Sequence, residues 1–360
     1  MRILIVTPRD PLVQGGVERH VAAVAKRHAA AGNEVVVLCG DPDGRAPRED
    51  RRDGYLVRTL PAHPRGRDWL FTPGLWRAIA AARPDVVHVQ SYHTLVPPLA
   101  MLRALTLRAP YVLTFHGGGH SSGLRNRARR TQRLLLRPLL SRAARLVAVA
   151  SFEIEQYGSE LRLPAEHFVL IPNGTDLSFS AGEPDRSGPP TVASVGRLER
   201  YKGHHRAIEA FPAVLRRRPD ARLLIVGRGP YEAELRELVG RLGLGDSVEL
   251  TSVPSDQPEA MAELLRRVWV LALLSEFETH PIAAIEAVAA GCRLLVADIG
   301  GTRELAESGL ARAVPLDADP DTVGTALAAE LEQPPLEHRP EVLTWDECAG
   351  RLLDLYRSVV

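Results

Sequence analysis

The sequence contains very little lysine, few cysteines and no long apolar run. Only two of its 45 basic residues are lysines, Lys26 and Lys202, and its three cysteines, Cys39, Cys292 and Cys348, are widely separated. Three scattered cysteines argue against a disulfide framework or a metal cage and are typical of reduced thiols. No apolar run reaches the roughly 18–20 residues that a membrane span requires, and the N-terminal segment has no secretion signal. These absences predict a cytoplasmic protein.

Several sequence motifs that would identify other enzyme classes are also absent. No G-x-x-x-x-G-K-[ST] occurs, which excludes a P-loop NTPase, and no G-x-S-x-G occurs. The glycine-rich segments QGGVE and GRGP do not complete a G-x-G-x-x-G, so a dehydrogenase is disfavoured. The aspartates at 41–43 and 317–321 lie in proline-containing segments, where aspartate favours turns, and we predict no metal site there.

The near-neutral net charge conceals an asymmetry between the two halves of the chain. Residues 1–180 carry 25 basic and 15 acidic groups, whereas residues 181–360 carry 20 and 29. No acidic residue occurs between Asp85 and Glu153, while ten arginines do. This basic segment predicts either an anionic partner (a membrane surface, a phosphorylated acceptor or a nucleic acid) or a solvated arginine-rich face.

A helical segment at 123–145 interleaves arginines with leucines. Arg130, Arg133 and Arg137 are expected on one side, and a second side carries Leu135, Leu136, Leu139 and Leu140. The pattern is typical of a helix that lies on anionic lipid. It is equally consistent with a helix that covers a sheet and has a basic outer face.

The length and the repeated pattern predict two α/β domains. A chain of 360 residues is too long for one ordinary core. Short branched-aliphatic runs alternate with helical segments in both halves, which predicts parallel sheets covered on both faces. The only clear linker is at 178–190. Ligands of such sheets bind beyond the carboxyl ends of the strands, where we expect Gly15, Gly16, His116 and Gly117.

The stretch at 273–305 contains an apolar helix with one carboxylate. Pro281 is expected as the first helical residue, and Gly291 ends the helix. Glu286 needs a polar partner because an unpaired buried charge is costly, and this partner is either Arg303 or a ligand. The free N–H groups at the helix start can bind an anion, and Glu278 lies just outside this start.

Two further positions are candidates for ligand binding. Arg197 and Lys202 follow a predicted strand and would suit a diphosphate, although a surface loop can carry two cations without a ligand. His116 leaves a strand for a glycine-rich loop, where it can bond a sugar hydroxyl or a leaving group, or only tie down its own loop. His93 and His120 are weaker candidates.

Five motifs in order resemble those of the retaining nucleotide-sugar glycosyltransferases of family 4, the glycogen synthase and phosphatidylinositol mannosyltransferase type. Glu278 and Glu286 match the E-x7-E motif of that family. The other matching segments are GRLERYKG, GGTREL, GGVE and IPNGTD. The resemblance extends over nearly the whole chain.

The resemblance implies the GT-B fold, an α/β fold of two Rossmann-like parallel-sheet domains facing a deep interdomain cleft. It implies an acceptor-binding domain at 1–180, a nucleotide-sugar-binding domain at 181–343, and a helix at 344–360 that packs back on the first domain.

The resemblance also implies roles for individual residues. Arg197 and Lys202 would hold the donor diphosphate, Glu286 the ribose, and Glu278 and His116 the transferred sugar. The remaining expected donor-site residues are Gly16, Thr279, His280, Pro281 and Ile282. The family usually has Gly-Phe-Gly or Gly-Phe-Pro after the first glutamate, so the different sequence here leaves the sugar unassigned.

We therefore expect an enzyme that moves a hexose-type sugar from a UDP- or GDP-sugar to a hydroxyl acceptor, lipid-linked or a small metabolite. The family implies retention of anomeric configuration without a metal or other cofactor, and no carboxylate nucleophile is evident, which favours front-face transfer. We expect peripheral membrane contact on the inner face through 125–145, and no nucleic-acid partner. The alternatives are a nucleotide-sugar epimerase of the same fold and a non-catalytic nucleotide-sugar-binding protein.

Overall fold

The computed structural model describes residues 1–13, 15–44, 48–65, 71–117, 123–175, 184–254, 257–336 and 343–360, without the side chains of 123–130 and 258. The described chain forms two compact units. Unit 1 contains residues 1–117, 123–174 and 343–360, and unit 2 contains residues 175–336. The predicted linker at 178–190 lies partly outside the described residues.

Unit 1 is built on a sheet in which, within the described residues, eight strands are paired in the order β3-β4-β2-β1-β5-β6-β7-β8. The strands are β1 (Arg2–Thr7), β2 (Glu34–Asp41), β3 (Glu49–Arg52), β4 (Tyr55–Pro61), β5 (Val86–Gln90), β6 (Tyr111–Thr114), β7 (Arg145–Ala148) and β8 (Phe168–Leu170). The connecting helices are α1 (Gly16–Ala30), α2 (Leu75–Ala82), α3 (Val96–Leu107), α4 (Gly123–Leu140) and α5 (Ser151–Leu161). The central strands are buried on both faces, which explains their continuous runs of valine, isoleucine and leucine.

Unit 2 repeats the architecture with six paired strands among the residues described, in the order β11-β10-β9-β12-β13-β14. The strands are β9 (Thr191–Val195), β10 (Arg222–Val226), β11 (Val248–Thr251), β12 (Val270–Leu273), β13 (Arg293–Ala297) and β14 (Arg312–Val314). The helices are α6 (His204–Arg217), α7 (Glu232–Arg241), α8 (Pro258–Arg267), α9 (Ile282–Ala289), α10 (Gly300–Glu307) and α11 (Pro320–Leu331). All of these strand pairs are parallel. The predicted α/β class and the predicted parallel sheets are therefore confirmed.

The C-terminal helix, α12 (Trp345–Val359), belongs to unit 1. Thr344 caps it: its hydroxyl accepts from the Glu347 N–H, and the Glu347 carboxylate accepts from the Thr344 N–H, so two otherwise free donors are satisfied. The apolar side of α12 buries Trp345, Leu352, Leu353 and Tyr356. His28 on α1 hydrogen-bonds the carbonyl oxygen of Ala349 at 2.8 Å, which joins the two helices.

Among the described strands, β3 does not follow the branched-aliphatic pattern from which the strands were predicted. It has the sequence EDRR and pairs antiparallel with β4 at the edge of the sheet. Four charged residues show no apolar alternation, so only the pairing with β4 identifies them as a strand.

The prediction of a solvent-facing arginine stripe on α4 is wrong at Arg133. This side chain is only 7% exposed, its Nε donates to Glu160 at 2.7 Å, and its Nη1 donates to the Tyr92 hydroxyl at 2.7 Å. Nε of Arg137 donates to the Leu161 carbonyl oxygen at 2.6 Å, so both arginines bond within unit 1. The solvent side of α4 instead carries Leu135, which is 76% exposed. The side chain of Arg130 and all of His120 lie outside the described residues.

Cys39, Cys292 and Cys348 are buried thiols, and none of them forms a disulfide. Among the described helices, none combines the length and the apolar character that crossing a bilayer requires.

Candidate functional site

In unit 2, the residues predicted to bind the donor lie beyond the carboxyl ends of β9 and β12. These strands are neighbours, with Val192 paired to Val270. The sheet order changes direction between them, because β10 and β11 lie on the far side of β9 while β13 and β14 continue beyond β12. Such a point opens a crevice at the carboxyl edge of the sheet, where open α/β sheets bind ligands.

The structure joins Lys202 and Glu278, which the sequence separates by 76 positions. Nζ of Lys202 lies 2.7 Å from Oε1 of Glu278, and the two side chains are 20% and 10% exposed. The Ser275 hydroxyl donates to the same Oε1 at 2.7 Å and lies 3.2 Å from the Lys202 carbonyl oxygen. Ser275 therefore holds both halves of the ion pair.

The ammonium group of Lys202 remains charged at neutral pH despite its burial. Burial alone lowers the pKa of Lys202, but the Glu278 carboxylate and the Tyr201 hydroxyl raise it, and the net pKa lies above the ordinary lysine value. Nζ also lies 5.3 Å from the centre of the Tyr201 ring, a favourable cation–π distance. Lys202 therefore contributes a positive charge that Glu278 balances in this structure.

Arg197 has an internal carboxylate partner as well. Its guanidinium is paired with Glu199 and is 37% exposed. Its carbonyl oxygen accepts from Nε2 of His204 at 3.1 Å, while Nδ1 of that histidine accepts from the Ser194 hydroxyl at 2.8 Å. Burial lowers the pKa of His204 to about 4, so a neutral ring makes both bonds. Ser194 and His204 were not predicted from the sequence. Their positions on either side of the GRLERYKG segment could have identified them as residues that support this loop.

The loops of this site approach each other closely at two glycines, where a side chain would not fit. At Gly203, φ is 73° and a Cβ would lie 2.0 Å from the Leu274 carbonyl oxygen. At Gly301, a Cβ would lie 1.5 Å from the Thr279 carbonyl oxygen, and the Gly301 N–H donates to the Glu278 carbonyl oxygen at 3.0 Å. The glycines of the KG and GGTREL segments therefore serve close backbone packing.

Helix α9 begins at the site. Pro281 is its N-cap and Ile282 its first residue, one position later than predicted. The first N–H groups of a helix have no acceptor within it, and here they begin four residues after Glu278. The side chain of His280 is half-buried, and burial lowers its pKa to about 4, so it is a neutral imidazole.

Glu286 lies on α9 and is 3% exposed. Arg303, the alternative partner considered from the sequence, bonds elsewhere: its Nε donates to Oδ1 of Asp298 at 2.7 Å, and its Nη2 donates to the carbonyl oxygen of the same residue at 3.1 Å. The structure thus contradicts the Arg303 alternative.

In unit 1, His116 follows β6 with a left-handed backbone at φ 44°. Its Nε2 lies 2.6 Å from Oε1 of Gln90, and burial, followed by the neighbouring His20 and His88, holds its pKa well below the ordinary range. The Glu153 carboxylate accepts from the N–H groups of Gly117 at 3.0 Å and of Val149 at 2.8 Å. His116 is therefore held rigidly in a neutral form.

The remaining unit 1 candidates lie around α1. Gly16 is its first residue, and a Cβ at this position would meet nothing within 4 Å. His20, one turn later, bonds Oδ1 of Asn173 at 2.9 Å, so α1 meets the IPNGTD segment. Sequence reasoning missed Gln90, His20 and Asn173 because their pairing depends on contacts distant in the sequence. His93 stacks at a tilt on Tyr92, with ring centres 4.1 Å apart.

The aspartates that resemble metal ligands form turns and caps. Oδ1 of Asp41 accepts from the N–H groups of Asp43 and Gly44, and Oδ1 of Asp319 caps α11 by accepting from the Thr322 N–H. In the described part of the chain, no group of three histidine, cysteine or acidic side chains could hold a metal ion. The hydrogen bonds of Asp41 and Asp319 are those expected of aspartates in turns and at helix starts.

Two family models match successive parts of the chain: Glycosyltransferase Family 4 at residues 14–179 and Glycosyl transferases group 1 at residues 178–341. A glycogen synthase from Mycobacterium tuberculosis is 30% identical, over 94% of this chain and 88% of that protein. A phosphatidyl-myo-inositol mannosyltransferase from Mycolicibacterium smegmatis is 30% identical, over 100% of this chain and 94% of that protein.

Among solved structures, Anabaena Alr3699/HepE in complex with UDP and glucose has a similar fold. The TM-score is 0.75 at 17% identity, over 99% of this chain and 100% of that one. Two parallel-sheet α/β units, this likeness of fold and the matches to both family models lead to one assignment: the chain belongs to the family 4 glycosyltransferases with the GT-B fold.

Proposed function

We propose that this protein is a retaining, metal-independent glycosyltransferase that moves a hexose-type sugar from a UDP- or GDP-sugar to a hydroxyl acceptor. The observation that carries the proposal is the unit 2 site, where two cations and the start of α9 lie beyond the carboxyl ends of adjacent strands. A diphosphate needs this combination of fixed positive charges and free N–H groups.

The two cations are already neutralised by carboxylates, and this suits exchange for a charged ligand. Arg197 pairs with Glu199 and Lys202 pairs with Glu278, so neither cation is stranded without charge compensation before the donor arrives. A bound diphosphate would replace the carboxylate partners. Glu278, released from Lys202, is then available to hydroxyls of the transferred sugar.

The other donor contacts follow the order of the chain. The start of α9, from Thr279 to Ile282, lies between the two glutamates, and Glu286 on the same helix is assigned to the ribose. Gly16 at the start of α1 is assigned to the phosphates, because its open surroundings allow close approach of a ligand to the backbone. His116 is assigned to the transferred sugar.

In the proposed reaction, the bond between the anomeric carbon and the phosphate oxygen breaks while the acceptor oxygen bonds to that carbon from the same face. The proton of the acceptor hydroxyl passes to a phosphate oxygen. Arg197 and Lys202 stabilise the negative charge that builds on the departing diphosphate. The Ser275 hydroxyl still donates to Oε1 of Glu278 after the diphosphate has replaced the carboxylate as the partner of Lys202, and this hydrogen bond makes Glu278 a poor nucleophile.

The proposed acceptor is lipid-linked or a small metabolite, reached by a cytoplasmic enzyme that associates peripherally with the inner face of a membrane. The support is the apolar surface of α4, on which Leu134 and Leu135 are 46% and 76% exposed. A mannosyltransferase named for a phosphatidylinositol acceptor is also among the relatives. This association does not use Arg133, which is buried.

The donor is tested first by thermal shift against UDP-, GDP- and ADP-sugars, because a ligand at about 100 times its Kd adds about 2.7 kcal/mol of stability. With the donor that shifts the melting temperature, transfer is measured in EDTA, and the anomeric configuration of the product is determined by NMR. Lys202→Ala is expected to lower kcat by about 10²–10³-fold, the usual effect of removing one charge-stabilising group.

The chain provides a matched control for this variant. Lys26, the only other lysine, is 58% exposed and pairs weakly with Asp53 at 3.7 Å, so Lys26→Ala should keep full activity. Unchanged transfer by Lys202→Ala would refute the site assignment. An epimer formed without acceptor, or donor binding without any turnover, would refute glycosyl transfer itself.

A further inference from the structure

A continuous buried chain of polar side chains in unit 1 ends at His116. The Tyr356 hydroxyl on α12 lies 2.5 Å from Nδ1 of His88, and Nε2 of His88 lies 2.7 Å from the Thr114 hydroxyl. Nε2 of Gln90 lies 3.2 Å from both ring nitrogens of His88, and Oε1 of Gln90 lies 2.6 Å from Nε2 of His116. The side chains of His88, Gln90 and Thr114 are fully buried.

The orientation of the Gln90 amide determines where the proton of His116 resides. A carboxamide oxygen can only accept a hydrogen bond, so Nε2 of His116 must carry the proton. The ring nitrogens of His88 already bond the Tyr356 and Thr114 hydroxyls, and the Gln90 amide nitrogen is equidistant from both, so it lies over the ring face. An amide N–H is favoured over the face of an aromatic ring, whereas the lone pairs of an amide oxygen are not, and this keeps the oxygen of Gln90 toward His116. His116 is then the neutral Nε2–H tautomer, and its Nδ1 carries a lone pair.

Nδ1 of His116 makes no hydrogen bond to any residue that the structure describes. The surrounding groups do not favour a second proton, since the neighbouring rings of His20 and His88 are themselves buried, and the centre of the His20 ring lies 4.6 Å from that of His116. A lone-pair nitrogen in this position can accept a hydrogen bond and cannot donate one.

We propose that Gln90 is a positioning residue that fixes His116 as the Nε2–H tautomer and so makes Nδ1 an acceptor for one hydroxyl of the transferred sugar. The statement about the sugar rests on the proposed glycosyltransferase function, whereas the statement about the tautomer does not. A consequence is selectivity by hydrogen-bond direction. A donor sugar with fluorine in place of that hydroxyl is rejected, because fluorine cannot donate to Nδ1.

The tautomer is measured on the free protein by long-range ¹H–¹⁵N correlation of the histidine rings, with the His116 signals assigned by their loss in His116→Gln. The parent should show Nε2 protonated and Nδ1 unprotonated. Gln90→Leu removes the acceptor and should give a mixture of both tautomers, while Gln90→Glu keeps an acceptor oxygen and should retain the proton on Nε2. Nδ1–H in the parent, or an unchanged tautomer in Gln90→Leu, would overturn the proposal.

A matched control separates this effect from a general loss of packing. Tyr111 lies on β6, the strand that also carries Thr114, and its hydroxyl donates to the carbonyl oxygen of Leu139 on α4. This hydroxyl makes no hydrogen bond to the chain of side chains that contains Gln90. Tyr111→Phe should therefore leave the His116 tautomer unchanged. If it altered the tautomer as Gln90→Leu does, the assignment to Gln90 would fail.

The second arm uses the donor found by thermal shift and its monodeoxyfluoro analogues. One analogue should lose about 10-fold or more in kcat/KM with the parent enzyme, and this loss should be smaller in Gln90→Leu. Equal kcat/KM for all analogues would overturn the acceptor role of Nδ1 and leave the tautomer result standing. A protein without transferase activity would give no result in this second arm but could still show the predicted tautomer. Failure of the proposed function is therefore distinguishable from failure of the assignment to Gln90.

Discussion

The Lys202–Glu278 ion pair allows a quantitative test of how the site is arranged before the donor binds. The perturbation is a double-mutant cycle of Lys202→Met, Glu278→Gln and the two together. Each single substitution leaves one charge of the pair in a pocket where the side chains are only 20% and 10% exposed. The cycle isolates the interaction between the two side chains from the other effects of each substitution.

The expected magnitude follows from the burial. Removing one partner of a buried pair costs about 3–5 kcal/mol, because the remaining charge is uncompensated. In Lys202→Met, the remaining Glu278 carboxylate is slightly exposed and keeps its hydrogen bond from Ser275. We therefore expect this variant to lose about 3 kcal/mol of stability, the lower limit of that range. The double variant removes both charges, so we expect a coupling free energy of about 2 kcal/mol.

The assay is native-state hydrogen exchange at the strand amides of β9 and β12, which reports the free energy of unfolding of unit 2. The pair Arg216–Asp321 is the control, since its atoms are 2.6 Å apart but its side chains are 62% and 75% exposed. Exposed pairs contribute about 0.2–1 kcal/mol because water and salt screen them. A Lys202–Glu278 coupling no larger than that of the control would refute the reasoning.

Three further predictions concern packing and buried charge. Gly301→Ala should destabilise unit 2 by about 3 kcal/mol, the upper range for overpacking, because its Cβ would collide with the Thr279 carbonyl oxygen. The control is Gly245→Ala, where a Cβ meets nothing within 4 Å and the stability should not change. Thermal denaturation of both variants measures the difference. Arg133→Met should lower the free energy of unfolding of unit 1 by about 3 kcal/mol in urea, and a loss below about 1 kcal/mol would contradict its burial. Burial lowers the pKa of His20 from 6.5 to about 4. The unfolded chain therefore binds more protons at His20 in that window, and this residue alone should cost unit 1 about 3 kcal/mol of stability as the pH falls from 6.5 to 4. A urea midpoint that is flat across this range would contradict the assignment.

Much of the fold was predictable because its signals are local. Strands such as ILIVT and RLLIV are continuous apolar runs between helical segments, so the parallel α/β pattern was evident from the sequence. The turn role of Asp319 was predictable as well, because a cap depends only on residues three positions apart. The charged strand β3 was missed, since it is a strand only through its pairing with β4.

In the candidate site, too, some features were predictable from local sequence patterns and others were not. The spacing of Glu278 and Glu286 and the GRLERYKG segment located the donor loops from the sequence. That Lys202 bonds Glu278, that Ser275 holds both, and that Gly301 touches Thr279 are contacts between segments distant in the sequence. No local pattern contains this information.

The arginine-rich helix α4 and His116 show most clearly what the sequence cannot predict. Residue type and helical spacing predicted where Arg133 lies on α4, but the tertiary structure decided its environment, because Tyr92 and Glu160 satisfy its charge inside unit 1. The sequence by itself determined the family, the two α/β domains and the positions of the donor loops, since these depend on periodicity and on short motifs. Only the tertiary structure decided which charges are paired and which groups surround His116, because these contacts depend on distances between atoms that the chain brings together by folding.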